Sequence, residues 1–435
     1  MILNDLNSHV VKSLSLISLG AILGAAFTFL SNVLFARHLD LFEFGILASS
    51  LVAINLSASF SGFGVGLFWL NIFGIEGIQA KRWIKPSLKL ICVFMCLMIF
   101  FVSQISVISN NSLTQFVLIL IPWFLALVLN DLAAASLQLQ YKFNTLSLWL
   151  LLPHLNKLFV AVYIGAYGLG LESVGHGIAL VSFIMILLSL RQLFIFFKND
   201  PSLEVKSGDY TDPSISDAMK KSWPFAASGV FYFIYFQTNI LILYWLIGSE
   251  AAGLFYAGFI VVNAIYVIPS SVFQKYLLPL QHRWASDNPT KLLAIFRFTS
   301  GVLVLLGIFS AIALIFLSFT SIFIIFGDKF IEANKVVFIL AVGVPFKFLA
   351  IGIGGLLSVK DLILDKIKCM GFIAFLNVVL NLILIQKFSF YGAAIATLIT
   401  DICLLFLYLY VIQNRLFGSD TWLGWTISIK SIKHL

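Results

Sequence analysis

Twelve apolar runs, each long enough to cross a bilayer, follow one another along this chain with little between them. They fall at about 11–36, 44–72, 86–109, 112–138, 147–168 and 174–197, then at about 222–247, 250–280, 291–318, 333–358, 366–386 and 391–413. Roughly 20 apolar residues in a helix cover the roughly 30 Å hydrocarbon layer. Within that layer every backbone amide must be satisfied, and continuous apolar runs of this length are read as helices. Composition agrees, with 61% hydrophobic and 11% charged residues, whereas soluble domains carry about 25% charged. The first run is longer than the core of a signal peptide and is read as a retained helix. The expected fold is all-α, a polytopic membrane protein of about twelve transmembrane helices in two six-helix lobes around a central cavity.

Basic residues set the orientation, because lysine and arginine stay on the cytoplasmic side. With the N-terminus inside, 21 of the 27 lysines and arginines lie in inside segments, among them Lys81, Arg82, Lys85 and Lys89. Four (Arg37, Lys329, Lys335 and Lys387) lie outside, and Lys157 and Lys347 lie within spans. Both termini are therefore expected in the cytoplasm. This distribution also accounts for the net charge of +8 without nucleic acid. The longest polar stretch, Lys198–Lys221, divides the chain into an N-terminal lobe (1–197) and a C-terminal lobe (222–413), followed by a cytoplasmic tail (414–435). A faint repeat supports two lobes: Glu43-Phe44-Gly45 opens the second span and Ala251-Ala252-Gly253 opens the eighth, an offset of 208.

Polar residues in a spanning helix face a partner helix or water. Four spans carry such a stripe at helical spacing. They are Thr28 and Asn32 in the first, Asn55 and Ser59 in the second, Tyr232, Tyr235 and Asn239 in the seventh, and Tyr256, Asn263, Ser270 and Gln274 in the eighth. They are either packing seams or the walls of a cavity, and their equivalent places in the two halves favour a cavity. Four ionisable residues lie deep: Lys157, three residues after His154, then Lys347, Asp131 and Asp401. A charge at the bilayer centre costs about 2.5–3.5 kcal/mol even on the lenient insertion scale, so each needs a partner or water. Each lysine closely follows a proline, Pro153 or Pro345, which predicts a kinked helix carrying a cation. Each is an anion site or half of an ion pair with Asp131 or Asp401, and either aspartate is also a candidate for ion coupling. His154 is expected as a hydrogen-bonded packing residue.

Other signals are absent. There is no G-x-x-x-x-G-K-[ST] nucleotide loop, no nucleophile triad and no outside loop long enough for a catalytic domain. Gly62, Gly64 and Gly66 sit in a span and read as packing glycines. Cys92, Cys96, Cys369 and Cys403 lie in apolar runs, so no disulfide and no metal site is expected. No cofactor is implied, and the chain does not read as an enzyme.

At Phe35-Ala36-Arg37, Phe44-Gly45 and Ser61-Gly62-Phe63-Gly64 the chain resembles the polysaccharide (O-antigen, Wzx-type) flippases. These belong to the multidrug/oligosaccharidyl-lipid/polysaccharide exporter superfamily. The resemblance continues through Gly253, Tyr256, Ser270-Ser271, Pro279, Gly327 and Phe330 to Asn377, Asn381 and the run Tyr391 to Thr397. It departs at Asp40, where many relatives have glycine, and at Asn239, where several have an acid. The resemblance implies a cavity lined by helices 1, 2, 7 and 8, and transport of an undecaprenyl-pyrophosphate-linked oligosaccharide across a bacterial inner membrane. Lys157, Lys347 and Arg37 are then candidates for the pyrophosphate. Asn32, Asn55, Tyr232, Tyr235, Asn239, Tyr256 and Asn263 are candidates for the sugar and the cavity wall. The expected partners are the lipid-linked oligosaccharide, membrane lipids and the polysaccharide polymerase machinery. The alternatives are a drug/cation antiporter of the same superfamily, which needs an acidic cavity, and a membrane-embedded polymerase or ligase, which needs a large outer loop.

Overall fold

Left-handed backbone at a few positions divides the apolar runs of this chain into helices. The computed structural model describes residues 8–109, 111–198, 212–270, 289–357 and 362–421. Gln274, Ser271, Pro279, most of the Lys198–Lys221 stretch and most of the tail lie outside them. The helices are α1 (Ser8–His38), α2 (Leu41–Gly62), α3 (Val65–Glu76), α4 (Ile84–Ser109), α5 (Ser112–Ile119), α6 (Ile121–Leu139) and α7 (Phe143–Trp149). They continue with α8 (Leu152–Tyr167), α9 (Leu171–Lys198), α10 (Ile215–Leu246), α11 (Ser249–Pro269), α12 (Pro289–Phe326), α13 (Ala333–Leu356) and α14 (Ile363–Ile412). Among the described residues there is no strand.

Among the described residues, ten segments are long and apolar enough to span a membrane, and two of them, Leu41–Ser109 and Ile363–Thr421, are long enough to cross twice. The first turns after α3, through a 3-10 segment at Gly77–Trp83. The second turns at Ser389, whose φ of 52° breaks α14. The fold is thus the all-α, twelve-crossing architecture. Its outer faces are greasy: Phe100, Leu187, Phe309 and Phe316 are all well exposed, as a bilayer requires.

Three runs read as single helices are interrupted. The second span breaks at Phe63 and Gly64, with φ of 46° and 63°. A side chain on Gly64 would also meet the backbone of Phe225 and Ala226 in α10 at 2.5 Å. Gly64 is therefore both a hinge and a close-approach point, which corrects the reading as a packing glycine alone. Gly62 has open space around it. The fourth span breaks at Leu120, before Pro122. The fifth divides into α7 and α8, and Pro153 sits in the first turn of α8. Its missing amide costs nothing there, so the expected mid-helix kink is a helix start instead.

Asp40 is explained by local chemistry. Its carboxylate accepts from the Glu43 amide at 2.7 Å while Glu43 accepts from the Asp40 amide at 3.3 Å, a reciprocal box that caps α2. This geometry delivers α2 against α11. Gly45 and Gly253, the residues paired by the 208 offset, meet across the lobe boundary. A side chain on Gly253 would touch the Leu41 carbonyl at 2.9 Å and the Gly45 amide at 3.3 Å, and one on Gly45 would strike the Ser249 carbonyl. Gly45→Ala should therefore overpack this contact by about 1–3 kcal/mol. The expected result is a lower melting temperature of the detergent-solubilised protein, with Gly74→Ala, in open space, unchanged. Equal melting of the two variants would show that the contact is not held.

Candidate functional site

The two lobes close on each other at the end that carries the α1–α2 turn. Ser249 Oγ donates to the Phe42 carbonyl at 2.5 Å, and Lys329 Nζ donates to the Leu39 carbonyl at 2.7 Å. Phe44 packs edge-on against Phe330 and tilted against Tyr256, at centroid distances of 5.4 and 5.7 Å. Arg37 donates through Nε to the Ile325 carbonyl at 2.9 Å and through Nη2 to the Ile324 carbonyl. Free carbonyls at a helix C-terminus attract cations, so Arg37 latches α1 to the end of α12. It lines none of the interior chambers, and this corrects its assignment to the cavity.

Below that closure lie three adjoining chambers. The first, of about 250 Å³, is lined by Thr28 and Asn32 of α1, Asn55 of α2, His154 and Lys157 of α8, and Tyr256 and Asn263 of α11. The second, of about 290 Å³, lies between α2, α6 and α10 and includes Asn55, Ser59 and Asp131. The third, of about 400 Å³, lies in the C-terminal lobe and includes Tyr232, Tyr235, Asn263, Ser270 and Lys347. Asn55 borders the first two chambers and Asn263 borders the first and third. The stripes of spans 1, 2, 7 and 8 thus meet around one composite cavity.

The deep charges divide unequally. Lys347 is 6% exposed and Asp401 is 2% exposed. The ammonium donates to Asp401 Oδ1 at 3.0 Å and to the Tyr235 hydroxyl, which donates in turn to Asp401. Lys347 also lies over the ring of Tyr235 at 4.2 Å and that of Phe236 at 4.9 Å. A buried charge persists only when paired and hydrogen-bonded, and this triad satisfies both ions internally. Lys157 forms no ion pair or hydrogen bond among the described residues, nor does Asp131. Both instead face the open chambers. His154 accompanies Lys157, with Nδ1 at 2.6 Å from Thr28 Oγ1. It packs where a side chain on Gly24 would lie 2.6 Å from Cδ2, so the glycine makes room for the imidazole.

The remaining candidates sort by position. Asn32, Asn55, Tyr256 and Asn263 line the first chamber with Lys157, whereas Tyr232 and Tyr235 line the third. Asn239 is wholly buried and lines none of them. Its Nδ2 donates to Thr397 Oγ1 at 3.0 Å, and Asn377 Nδ2 donates to Thr400 Oγ1 at 3.2 Å. These amides tie α10 and the two halves of α14 together, which removes Asn239 from the cavity wall. Tyr266, Tyr408, Lys366 and Gln237 also line chambers and were missed. Spacing could have found two of them: Tyr266 follows Asn263 by one helical turn, and Tyr408 follows Asp401 by two.

A family model described as "Polysaccharide biosynthesis protein" matches residues 10–283. The chain belongs to that family. Among solved structures, this family member is similar to "Lipid II flippase MurJ, inward closed conformation", with a TM-score of 0.71, 15% identity, and 96% of this chain and 91% of that chain covered. It is also similar to an inward-facing multidrug resistance MATE family transporter of the MOP superfamily. That match has a TM-score of 0.66 and 13% identity, and covers 92% of this chain and 97% of the other. No curated protein matches the chain. At these identities the structural matches establish the twelve-helix fold alone, and the family match adds polysaccharide biosynthesis.

Proposed function

We propose that this protein flips an undecaprenyl-pyrophosphate-linked oligosaccharide, an O-antigen or similar repeat unit, from the cytoplasmic to the periplasmic leaflet of a bacterial inner membrane. The observation that carries the reading is Lys157, a cation without a partner among the described residues, in a polar chamber between the lobes. A pyrophosphate leaving water needs such a counter-charge. Asn32, Asn55, Tyr256 and Asn263 offer hydrogen bonds around it, and the Gln237 amide oxygen, an acceptor with no donor among the described residues, suits a sugar hydroxyl. The lipid tail stays in the bilayer, outside the cavity, while the headgroup crosses within. The basic end is the cytoplasmic one, so the closure through Arg37, Lys329 and Ser249 seals the periplasmic side and the lobes rock to open it.

The membrane potential supplies direction. Each negative charge moved outward against an inside-negative potential releases about 2.3 kcal/mol per 100 mV. Asp401 is already neutralised by Lys347 and is not available to a coupling ion. Asp131, unpaired in the second chamber, favours one competing reading: an antiporter of drugs or cations that uses this acid.

Deletion in the native host separates the two. Lipid-linked glycan should accumulate on the inner leaflet, and the wild-type chain should clear it while Lys157→Ala should not. Normal glycan export in the deletion strain, with raised sensitivity to cationic drugs, would favour the antiporter.

A further inference from the structure

The composite cavity has two kinds of wall. The first chamber is amide-rich and holds the ammonium of Lys157, which has no acidic partner among the described residues. The third chamber, in the C-terminal lobe, is walled by four tyrosines, Tyr232, Tyr235, Tyr266 and Tyr408, with Ser228 and Ser270 between them. Its deep cation contributes no net charge, because Lys347 is held by Asp401 at 3.0 Å and by the Tyr235 hydroxyl. Ser270 Oγ donates to the Tyr266 carbonyl, so towards the chamber it can only accept.

Tyr232 is the exposed platform of this chamber. One face of its ring stacks on Phe236, at a centroid distance of 5.2 Å and an interplanar angle of 23°, and the side chain is 43% exposed. A rigid aromatic face backed by a second ring suits the apolar C–H face of a pyranose, while neighbouring hydroxyls and amides take its polar edge. Such a wall gives an anion less than the Lys157 chamber does, since Lys347 is committed to Asp401 and the second lysine on this wall, Lys366, donates to the Gly354 carbonyl.

The geometry points to a division of the headgroup between the lobes: the phosphates bind in the Lys157 chamber and the sugar rings bind in the tyrosine chamber of the C-terminal lobe. This rests on the flippase reading. Asn263, which borders both chambers, marks the junction between phosphate and glycan. At about 400 Å³ the tyrosine chamber is in the range of sites for small ligands. It therefore takes the first few sugars next to the phosphate.

Protection of single cysteines tests this in the full chain, purified in lipid nanodiscs with the four native cysteines replaced by alanine. Ala25→Cys reports on the Lys157 chamber and Ser228→Cys on the tyrosine chamber. The probes are inorganic pyrophosphate and the oligosaccharides released by mild acid from the polyprenyl-linked glycans of the native host.

Pyrophosphate should slow thiol labelling at Ala25→Cys at least tenfold and leave Ser228→Cys unchanged. The oligosaccharides should do the reverse. Adding Tyr232→Leu should abolish oligosaccharide protection, and Tyr232→Phe should keep it, since the ring rather than the hydroxyl forms the platform. Pyrophosphate protection at Ala25→Cys with no oligosaccharide protection at Ser228→Cys, or with protection that survives Tyr232→Leu, overturns the division and leaves the flippase reading standing. Absence of protection by either probe at either site overturns both.

Discussion

Lys347→Ala should destabilise the folded chain by about 3–5 kcal/mol, because it strands the Asp401 carboxylate in a buried site. Asp401 is 2% exposed, and after the substitution only the Tyr235 hydroxyl still serves it. Asp401→Ala should cost a similar amount by stranding the ammonium. Removing both charges together, as Lys347→Met with Asp401→Asn, should recover most of the loss, since the amide still accepts from Tyr235 and the methionine fills the lysine stem. The melting temperature of the detergent-solubilised protein and the yield in the membrane report this order directly. If Lys347→Ala melts like wild type but fails to transport, the ion pair is not structural and the ammonium acts on substrate after all.

Lys157→Ala should show the opposite pattern: normal folding and a large loss of transport. Lys157 has no acidic partner among the described residues, so its removal strands nothing. A hydrogen bond to a charged group contributes about 1.5–3 kcal/mol, and losing it should weaken the hold on a pyrophosphate roughly 10- to 100-fold. Lys157→Arg should retain part of the function because the charge stays, and Lys157→Gln should not. The measurement is the rate at which lipid-linked glycan reaches the outer leaflet at matched protein levels. Wild-type rates in Lys157→Ala would remove the anion site from this chamber. A fall in melting temperature as large as that of Lys347→Ala would make Lys157 structural.

The two lysines looked alike in the chain. Each follows a proline, each lies deep in an apolar span, and each had two aspartates as prospective partners. What separates them is how neighbouring helices are rotated. Lys347 of α13 meets Asp401 of α14 across 54 positions in sequence, because α10 and both halves of α14 are locked by the Asn239–Thr397 and Asn377–Thr400 bonds. Asp131 instead faces the second chamber beside Gly66, where a side chain would lie 2.8 Å from its carboxylate oxygen, and it is not bonded to Lys157. Arg37 shows the same limit. Its place at the end of a span was legible, but its partners, the carbonyls of Ile324 and Ile325, exist only because α12 ends beside α1.

The sequence by itself determined the all-helical membrane architecture, because every backbone amide in hydrocarbon must be satisfied and apolar runs of roughly 20 residues match a spanning helix rather than the much shorter strand of a barrel. It also determined which face of spans 1, 2, 7 and 8 is polar, since helical periodicity is a local property, whereas the cap of α2 was not read from it, although Asp40 and Glu43 are only three apart. The offset of 208 told which glycines were equivalent, though not that Gly45 and Gly253 touch. Only the tertiary structure decided which deep charges neutralise each other, that Asn239 turns inward to Thr397, and that the tyrosines of three different helices wall one chamber. The reason is that a sequence pattern fixes the direction of a side chain about its own helix axis, whereas a site is made by the relative rotation and depth of several helices. Those are set by packing contacts such as Gly64 on Ala226, which no single segment encodes.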